Sequence, residues 1–298
     1  MATSQIDGVL NILKPAGITS HDVVSRLRRV FHQRRIGHAG TLDPAARGVL
    51  LVGLGKATRV LEYLGELPKT YRARVVLGTT TDTLDGEGAV TGRAAWEHIR
   101  WEDVSSALGR FWGDILQVPP MYAAIKRNGQ PLHELARQGI IVPREARPVR
   151  IHALKALAWV PPYLDLDVEC SQGTYIRALA RDLGEALGTG AHLASLTRTA
   201  IGDHTLCTSI SLSALETGGP DYATTMVLSI GQALAHLPSI AATDAQAAAL
   251  RQGRSLELEP APPREPALAL DERGTVIAVL VRDSGNQWHP TKVLAPNP

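Results

Sequence analysis

The sequence predicts an α/β protein of the α+β type, in which a mixed, mainly antiparallel sheet is flanked by helices and followed by a small C-terminal β module. Short apolar runs with strand character, such as residues 49–55, alternate along the chain with stretches of helical periodicity. Residues 164–170 alternate apolar and polar side chains, as a strand with one buried face does. After Ala241 the chain becomes rich in proline and then in short strand-like runs, which indicates a separate β module.

The N-terminal part of the chain predicts a strand, a helix, a loop and a second strand. Residues 8–15 favour a strand that ends at Pro15, and the next helix has Ser20 as its predicted N-cap. Apolar residues of this helix recur on one face, which leaves its arginines on the other face. Residues 49–55 predict a buried strand, and the loop that contains Asp43 is expected at its N-terminal end.

The middle of the chain contributes another strand and the clearest helix. Partial alternation over residues 69–78 predicts a strand that carries Tyr71, and a helix is expected over residues 101–111. Residues 174–188 place their large apolar side chains on one stripe, and Arg177 lies in the first turn of this helix. The helix macrodipole disfavours an arginine in this turn, so we predict that another structural or functional requirement accounts for it. The alternative is an ordinary surface arginine.

The composition is that of a globular protein that can bury a large core, with 298 residues and 44% hydrophobic content. Cys170 and Cys207 are too few for a disulfide framework, and both are predicted to be small buried side chains. The N-terminus lacks an export signal and no apolar stretch is long enough to cross a membrane, so a cytoplasmic protein is predicted. Asp82, Asp85 and Glu87 lie close together without the spacing of a calcium loop, so no metal site is predicted.

The net charge of +2 hides two basic regions. Residues 1–60 contain nine Lys and Arg against three Asp, and residues 121–155 contain seven Lys and Arg against two Glu. Two such regions suit a polyanion that is held from two sides. The alternative for a run such as residues 26–35 is a solvated helix face.

One acidic side chain, Asp43, lies among glycines, small residues and cations. Gly40 and Gly48 allow backbone conformations that bring main-chain groups close to a ligand, and Pro44 fixes the turn after Asp43. In isolation the Asp-Pro pair would be interpreted as the start of a turn. In this setting the carboxylate is a candidate nucleophile or base.

The segment GHAGTLDPAARGVL resembles the motif that carries the catalytic aspartate of the bacterial tRNA pseudouridine synthases acting on uridine 55 of the T loop. Five further segments resemble other signature blocks of that family in the same order, so the resemblance covers most of the first 237 residues. These segments are KPAGITSHDVV, KTYRARVVLG, TDTLDGEG, VPPMYAAIKRNGQPLHELARQG and GTYIRALARDLGEALG. The departures from the common pattern are small and spare the proposed nucleophile: Ala39, Arg47, Arg59 and Ala123.

The resemblance implies an enzyme that isomerises uridine to pseudouridine at position 55 of the T loop, through a flipped-out base and a catalytic aspartate. It also implies no cofactor, no metal, no membrane and no obligatory protein partner, and a monomer that binds the T arm of tRNA. The reaction needs no redox step, and the sequence has no Walker A or dinucleotide motif. Two alternatives stay open: a non-catalytic tRNA-binding or tRNA-folding protein on the same scaffold, and the catalytic subunit of a guide-RNA-directed particle.

The resemblance assigns three catalytic and four substrate-binding residues. Asp43 is the nucleophile or base, Arg177 holds it ionised through a bidentate contact, and Tyr71 stacks on the base near the proton at C5. His38 would fill the gap left by the flipped base, and Leu196 would close the pocket. By local reasoning alone, Tyr71 is as well explained as an ordinary strand aromatic and His38 as a solvent-exposed histidine. The remaining two residues are predicted phosphate contacts: Arg59 and Lys14.

The resemblance divides the chain into two domains. Residues 1–237 would form the catalytic domain, with a basic tRNA-gripping insertion at about 121–150, and residues 238–298 would form a small, barrel-like PUA-like RNA-binding domain. The second domain contains six Lys and Arg against seven Asp and Glu, so it is predicted to be a poor electrostatic anchor for RNA. We expect a chain truncated after Leu237 to stay folded, to modify a T-arm stem-loop and to lose modest affinity for whole tRNA.

Overall fold

The computed structural model describes residues 5–123, 125–127, 129–283 and 287–294, and the predicted basic insertion is described without the side chains of Lys126, Arg127, Pro131, His133 and Arg137. The strands are β1 (Gly8–Lys14), β2 (Ile36–His38), β3 (Arg47–Leu54), β4 (Lys69–Leu77), β5 (Thr79–Thr81), β6 (Val90–Arg93), β7 (Gly113–Gln117), β8 (Lys126–Arg127), β9 (Gln130–Pro131), β10 (Arg147–Val160), β11 (Tyr163–Cys170), β12 (Ala191–Ile201), β13 (His204–Thr205), β14 (Ile210–Ser211), β15 (Ser239–Ala241), β16 (Ala267–Leu270), β17 (Val276–Arg282) and β18 (Trp288–Val293). The α-helices are α1 (Ser20–Val30), α2 (Leu61–Glu66), α3 (Trp101–Leu108), α4 (Leu132–Arg137), α5 (Ile176–Ala186), α6 (Leu212–Thr225), α7 (Ile230–Ala233) and α8 (Asp244–Arg251), and 3₁₀ turns cover Gly55–Arg59, Gly109–Phe111 and Leu206–Thr208.

A ten-stranded sheet confirms the predicted mixed, mainly antiparallel arrangement. Its strand order is β14-β1-β3-β12-β4-β11-β10-β7, with β2 paired to β3 and β13 paired to β12. Parallel pairing joins β1 to β14 and β3 to β12, and the other described pairs of this sheet are antiparallel. Strands β4 and β12, which carry predicted site residues, are therefore direct neighbours, and Tyr71 faces Arg198 across them.

Strand β4 has the predicted alternation. Tyr71 and Ala73 are buried, whereas Arg72 and Arg74 are exposed. The buried face packs in one apolar cluster with the stripe of α5, as expected for an amphipathic helix on a half-buried strand. Because Arg177 lies in the first turn of α5, this packing brings it to the same side of the sheet as Tyr71.

The N-cap of α1 is Thr19, and the prediction of Ser20 is wrong. Thr19 Oγ1 accepts the Asp22 N–H at 3.0 Å, and the Asp22 carboxylate accepts the Thr19 N–H at 2.8 Å. The Ser20 side chain is instead buried. Its hydroxyl donates to the Leu42 carbonyl at 3.1 Å and accepts the Leu42 N–H at 2.9 Å, so the start of the helix is fastened to the loop of Asp43.

The two cysteines have different surroundings. Cys170 is fully buried as predicted. Cys207 is exposed, contrary to the prediction, because it lies in a 3₁₀ turn that buries none of its residues. Within the described ranges, no helix is long and apolar enough to cross a membrane.

The C-terminal β module contains a four-stranded sheet in the order β15-β16-β17-β18, and its described strands form an open path. The module has an apolar core of its own around Leu250 and Trp288. Leu268 and Val279 face the other way and share a second apolar cluster with Leu64 of α2. The module and the rest of the chain therefore bury apolar surface against each other.

Candidate active site

A cavity of about 530 Å³ opens where the loop between β2 and β3, the strands β4 and β12, and the N-terminal end of α5 meet. Helix α2 and residues 122–123 of the basic insertion complete its wall. Five of the seven predicted site residues line this cavity: His38, Asp43, Tyr71, Arg177 and Leu196. The other two predicted residues, Lys14 and Arg59, lie outside its lining.

Arg198 fastens the loop of Asp43 to the sheet. This residue is 1% exposed, and its guanidinium donates to the carbonyls of Gly40 and Thr41 at 3.3 Å and of Val49 at 2.7 Å. A buried guanidinium is stable only where acceptors replace its water, and these three carbonyls do so. Arg198 therefore sets the path of the loop that presents Asp43.

Gly48 lets the loop strand approach β12. It pairs with Arg198 in parallel register and has a φ of 116°. A Cβ atom at this position would lie 2.1 Å from the Arg198 carbonyl oxygen. Only glycine fits there, since both the backbone angle and the contact exclude a side chain.

Arg177 binds Asp43 directly. Arg177 Nε lies 2.9 Å from Asp43 Oδ2, with Arg177 6% exposed and the Asp43 side chain 39% exposed. The terminal nitrogens of Arg177 donate to other acceptors, namely the carbonyls of Thr83 at 3.1 Å and Tyr122 at 2.8 Å. The contact through Nε therefore replaces the bidentate contact that was predicted.

A second carboxylate, Asp85, lies on the far side of the arginine. Its Oδ2 is 3.6 Å from Arg177 Nη1, and its Oδ1 accepts the Thr83 hydroxyl at 2.6 Å and the Glu87 N–H at 3.1 Å. Sequence reasoning considered Asp85 only as a calcium ligand. In the structure it and Asp43 flank one guanidinium, which explains why an arginine occupies an unfavourable position in a first helical turn.

The electrostatics of Asp43 are set by opposing effects. Burial raises the pKa of the Asp43 carboxyl, and the nearby Asp85 carboxylate acts in the same direction. Arg177 and Lys14 oppose this change in the pKa but do not cancel it. The carboxylate is therefore a stronger base than a surface aspartate, and Arg177 is the main group that keeps it ionised.

Tyr71 lies beside Arg198 in the cavity. It is 9% exposed, and burial raises the pKa of its phenol, whereas Arg198 acts in the opposite direction. The hydroxyl is therefore protonated at neutral pH and is a hydrogen-bond donor toward a bound base. Leu196 of β12 pairs with Ala73 of β4 and adds an apolar side chain to the cavity wall.

His38 ends β2 and is half-buried at the cavity. Burial and the charge of Arg198 lower the pKa of its imidazole. The ring is therefore neutral near pH 7, and a flat neutral ring suits stacking against a nucleobase.

The structure contradicts the predicted phosphate contact of Lys14, because the side chain of Lys14 is fully buried. Its Nζ donates to the carbonyls of Pro15 at 2.9 Å, Pro44 at 3.2 Å and Ala46 at 2.7 Å. Burial lowers its pKa to about 8, and Asp43 acts against this change. Lys14 therefore stabilises the turn that follows Asp43 rather than binding a phosphate.

Arg59 contacts the C-terminal β module. Its guanidinium is exposed and donates to the Val293 carbonyl. Next to it, Lys292 Nζ lies 2.9 Å from a carboxylate oxygen of Glu62, a residue of α2 that lines the cavity. The phosphate contact of Arg59 stays a prediction, and its observed contact joins the module to the cavity wall.

Two basic residues of the site were missed by sequence reasoning, Lys69 and Arg198. Lys69 is buried, lines the cavity and donates to the Gly65 carbonyl, and burial lowers its pKa to about 8. Lys69 lies two residues before Tyr71, and Arg198 lies two residues after Leu196. A strand spacing of two puts each on the same face as a predicted site residue, and this signal could have identified both.

Among the described residues, no group of three or more His, Cys, Asp or Glu side chains is arranged to hold a metal ion. The acidic segment around Asp85 is used internally, through its contacts to Arg177, Thr83 and Glu87.

Comparison with family models covers most of the chain. Residues 28–176 match the model described as TruB family pseudouridylate synthase, N-terminal domain. Residues 177–234 match the model described as tRNA pseudouridylate synthase B C-terminal domain.

Similar proteins were found among both curated sequences and solved structures. A tRNA pseudouridine synthase B of Dehalococcoides mccartyi (strain ATCC BAA-2266 / KCTC 15142 / 195) is 42% identical over 295 residues, which are 98% of each chain. One of Mycobacterium bovis (strain BCG / Pasteur 1173P2) is 46% identical over 303 residues, 97% of this chain and 96% of the relative. A chain in a Cbf5-Nop10-Gar1 complex has a TM-score of 0.75 and 26% identity over 97% of this chain and 85% of that chain. A chain in an H/ACA RNP bound to a substrate RNA containing 2'-deoxyuridine has a TM-score of 0.73 and 25% identity over the same shares.

Proposed function

This protein belongs to the TruB family of pseudouridylate synthases, and from that premise we propose that it isomerises uridine to pseudouridine at position 55, in the T loop of tRNA. The observation that carries the proposal is the 2.9 Å contact between Asp43 Oδ2 and Arg177 Nε at the mouth of a cavity that Tyr71 also lines. A carboxylate beside a buried guanidinium, in a cavity large enough for one nucleotide, suits a reaction on a single extruded base.

The reaction requires little beyond a carboxylate and a closed site. The bond from N1 to C1′ breaks, the base turns while it is held, and a bond from C5 to C1′ forms. The proton on C5 leaves and N1 gains one, so atoms and electrons balance without an oxidant or a phosphate donor. Asp43 is proposed to act as the nucleophile or the base, with Arg177 keeping it ionised.

The other cavity residues are proposed to hold the base. Tyr71 would stack on the uracil ring, with its hydroxyl near C5, and Leu196 would exclude water from the opposite side. His38 would occupy the gap that the extruded base leaves in the T loop, which offsets part of the few kcal/mol that unstacking costs. Arg59 would contact a phosphate at the rim.

The proposal includes a division of labour along the chain. Residues 1–237 are the catalytic domain, the insertion at about 121–150 grips the T arm, and residues 238–298 are a PUA-like RNA-binding module. The enzyme is proposed to work as a cytoplasmic monomer without an obligatory protein partner. The identity of 42% and 46% to the two named synthases, against 25% and 26% to the chains of the two particles, favours this reading over a guide-RNA-directed subunit.

Release of tritium tests the proposal. Purified protein is incubated with a tRNA transcript that carries tritium at C5 of its uridines, since each isomerisation frees the hydrogen of one C5. We expect release to approach about one tritium per tRNA, as a single target base requires. Binding of tRNA without any release would instead support the non-catalytic tRNA-folding alternative.

A further inference from the structure

Gln117 is a buried amide at the end of β7, where the chain leaves the sheet and enters the basic insertion. It is 2% exposed. Its Nε2 donates to the Tyr175 carbonyl at 3.1 Å, and its Oε1 accepts the Tyr175 N–H at 2.8 Å. One side chain thus binds both backbone groups of a single residue, as the backbone of an adjacent strand would.

Tyr175 is the residue from which α5 starts. It is the N-cap of the helix, and its own side chain makes no capping hydrogen bond. Arg177 follows two residues later, in the first turn. Because Gln117 holds the backbone of Tyr175 on both sides, it fixes the start of α5 and thereby the position of the Arg177 backbone.

The same helix holds the segment that leads from β7 into the insertion, residues 117–123, which we name the insertion root. Arg177 Nη2 donates to the Tyr122 carbonyl at 2.8 Å, and Arg181 Nη2 donates to the Val118 carbonyl at 3.1 Å. Arg177 and Arg181 are four residues apart and so lie on one face of α5. The insertion root therefore runs along the helix face that carries the candidate catalytic arginine.

We propose that Gln117 is a positioning residue that orients Arg177 toward Asp43 by fastening the insertion root to α5, an inference that rests on the proposed function. The guanidinium is planar and rigid, so the acceptors of its terminal nitrogens decide where Nε points. One of those acceptors, the Tyr122 carbonyl, belongs to the insertion root. A shift between root and helix would therefore turn Nε away from the Asp43 carboxylate, and Gln117 prevents that shift.

The coupling gives the insertion a second role. The insertion root continues into the insertion that is proposed to grip the T arm. Arg177 contacts both the insertion root and the Asp43 carboxylate. A displacement of the root would therefore change the geometry of the pair formed by Arg177 and Asp43.

The test compares the variants Gln117→Glu and Gln117→Met with the matched control Gln5→Glu. Gln117→Glu keeps the size and the acceptor for the Tyr175 N–H but loses the donor and sets an oxygen against the Tyr175 carbonyl. Gln117→Met removes both groups at similar volume. Gln5 is exposed and precedes β1, so its substitution adds the same charge without altering a buried amide.

We expect both Gln117 variants to lower kcat at least about 30-fold, since a misplacement of about 1 Å can cost a hundredfold. KM for tRNA should change by less than about threefold. The acid limb of kcat should move to higher pH, because among the groups that face Asp43, namely Arg177, Asp85 and Lys14, only the arginine is displaced. Gln5→Glu should leave kcat, KM and the limb unchanged.

A kcat within about threefold of wild type in folded Gln117 variants would overturn the inference. So would a lower kcat with an unshifted acid limb, which would mark Gln117 as merely structural. Melting curves are recorded first, and should Gln117→Glu fail to fold, Gln117→Asn, whose shorter amide cannot reach both groups, takes its place. Wild-type protein is assayed alongside, and failure of its own tritium release would count against the proposed function instead.

Discussion

Arg177 lies in the first turn of α5, a position that is unfavourable for a cation, and its contacts offset that cost. A cation in the first turn of a helix is repelled by the helix dipole, by about 0.3–1 kcal/mol at exposed sites. Here the side chain is buried, and it donates to two carbonyls and lies against the carboxylates of Asp43 and Asp85. Charge-assisted hydrogen bonds of this kind exceed the dipole term, so the position is favourable in the folded protein.

Two substitutions of Arg177 should distinguish the contribution of its charge to activity from that of its planar shape. Arg177→Lys keeps the charge but cannot satisfy all of these acceptors, so we expect kcat to fall at least about a hundredfold. Arg177→Met also removes the charge. Since burial already raises the pKa of Asp43, loss of the opposing cation raises it further, and the ionised form is lost at higher pH. A pH profile of kcat for each variant checks both points, and an acid limb unmoved in Arg177→Met would show that the arginine does not hold Asp43 ionised.

The residues that sequence reasoning misplaced share one property: their role depends on partners distant in the chain. Lys14 has the charge of a phosphate ligand, but the carbonyls of Pro44 and Ala46 make it an internal support. Ser20 is a residue type that is favoured at N-caps, yet its hydroxyl donates to the Leu42 carbonyl instead. The residue type determines which hydrogen bonds a side chain can form, and the tertiary structure determines which of them it does form.

At the scale of elements, strand alternation predicted β4 and β11 well, because each buries one face and leaves the other face partly or fully exposed. The order of the strands was not predictable in the same way. Strand β12 lies between β3 and β4, although more than a hundred residues separate it from either in sequence. That order brings Arg198 to both the Asp43 loop and Tyr71, so its partners could not be predicted from the sequence, although its spacing from Leu196 indicates the strand face on which it lies.

The contact between β3 and β12 can be tested through Gly48. Gly48→Ala would press a methyl group against the Arg198 backbone at a φ of 116°, so we expect a loss of at least about 2 kcal/mol in unfolding free energy. Urea denaturation measures it. The matched control is Gly109→Ala, where an added Cβ meets no atom within 4 Å and the backbone is helical. That control should stay within about 0.5 kcal/mol of wild type. Equal stability of the two variants would refute the close approach.

At the scale of the whole molecule, the C-terminal β module packs against the rest of the chain. Besides its own core, it places Leu268 and Val279 in the cluster that holds Leu64 of α2. The ion pair between Lys292 and Glu62 reaches a residue of the cavity wall. Charge counting, which predicted a poor electrostatic anchor for RNA, could not detect this shared burial, because the burial depends on how the two parts pack.

The shared cluster changes the expected result of truncation. A chain that ends after Leu237 should lose several kcal/mol of stability, since each large apolar side chain removed from a core contributes roughly 1.5–3 kcal/mol. The slope of log affinity for tRNA against log salt should still change by no more than about two contacts, because the module has no excess of positive charge. Thermal melts and salt titrations of the full and truncated chains measure both. An unchanged melting temperature would show that the catalytic part is autonomous, as the sequence alone suggested.

The central claim, that Asp43 isomerises one uridine in the T loop, is tested most directly by mapping the product. Unmodified tRNA transcript is incubated with wild-type protein or Asp43→Asn, and pseudouridine is located by carbodiimide-dependent primer extension. We predict one stop at position 55 with the wild type. With Asp43→Asn we predict a loss of at least about 10³-fold in rate and nearly unchanged tRNA binding, because the substitution keeps the shape and removes the charge. A stop outside the T loop, or a comparable stop with Asp43→Asn, would contradict the claim.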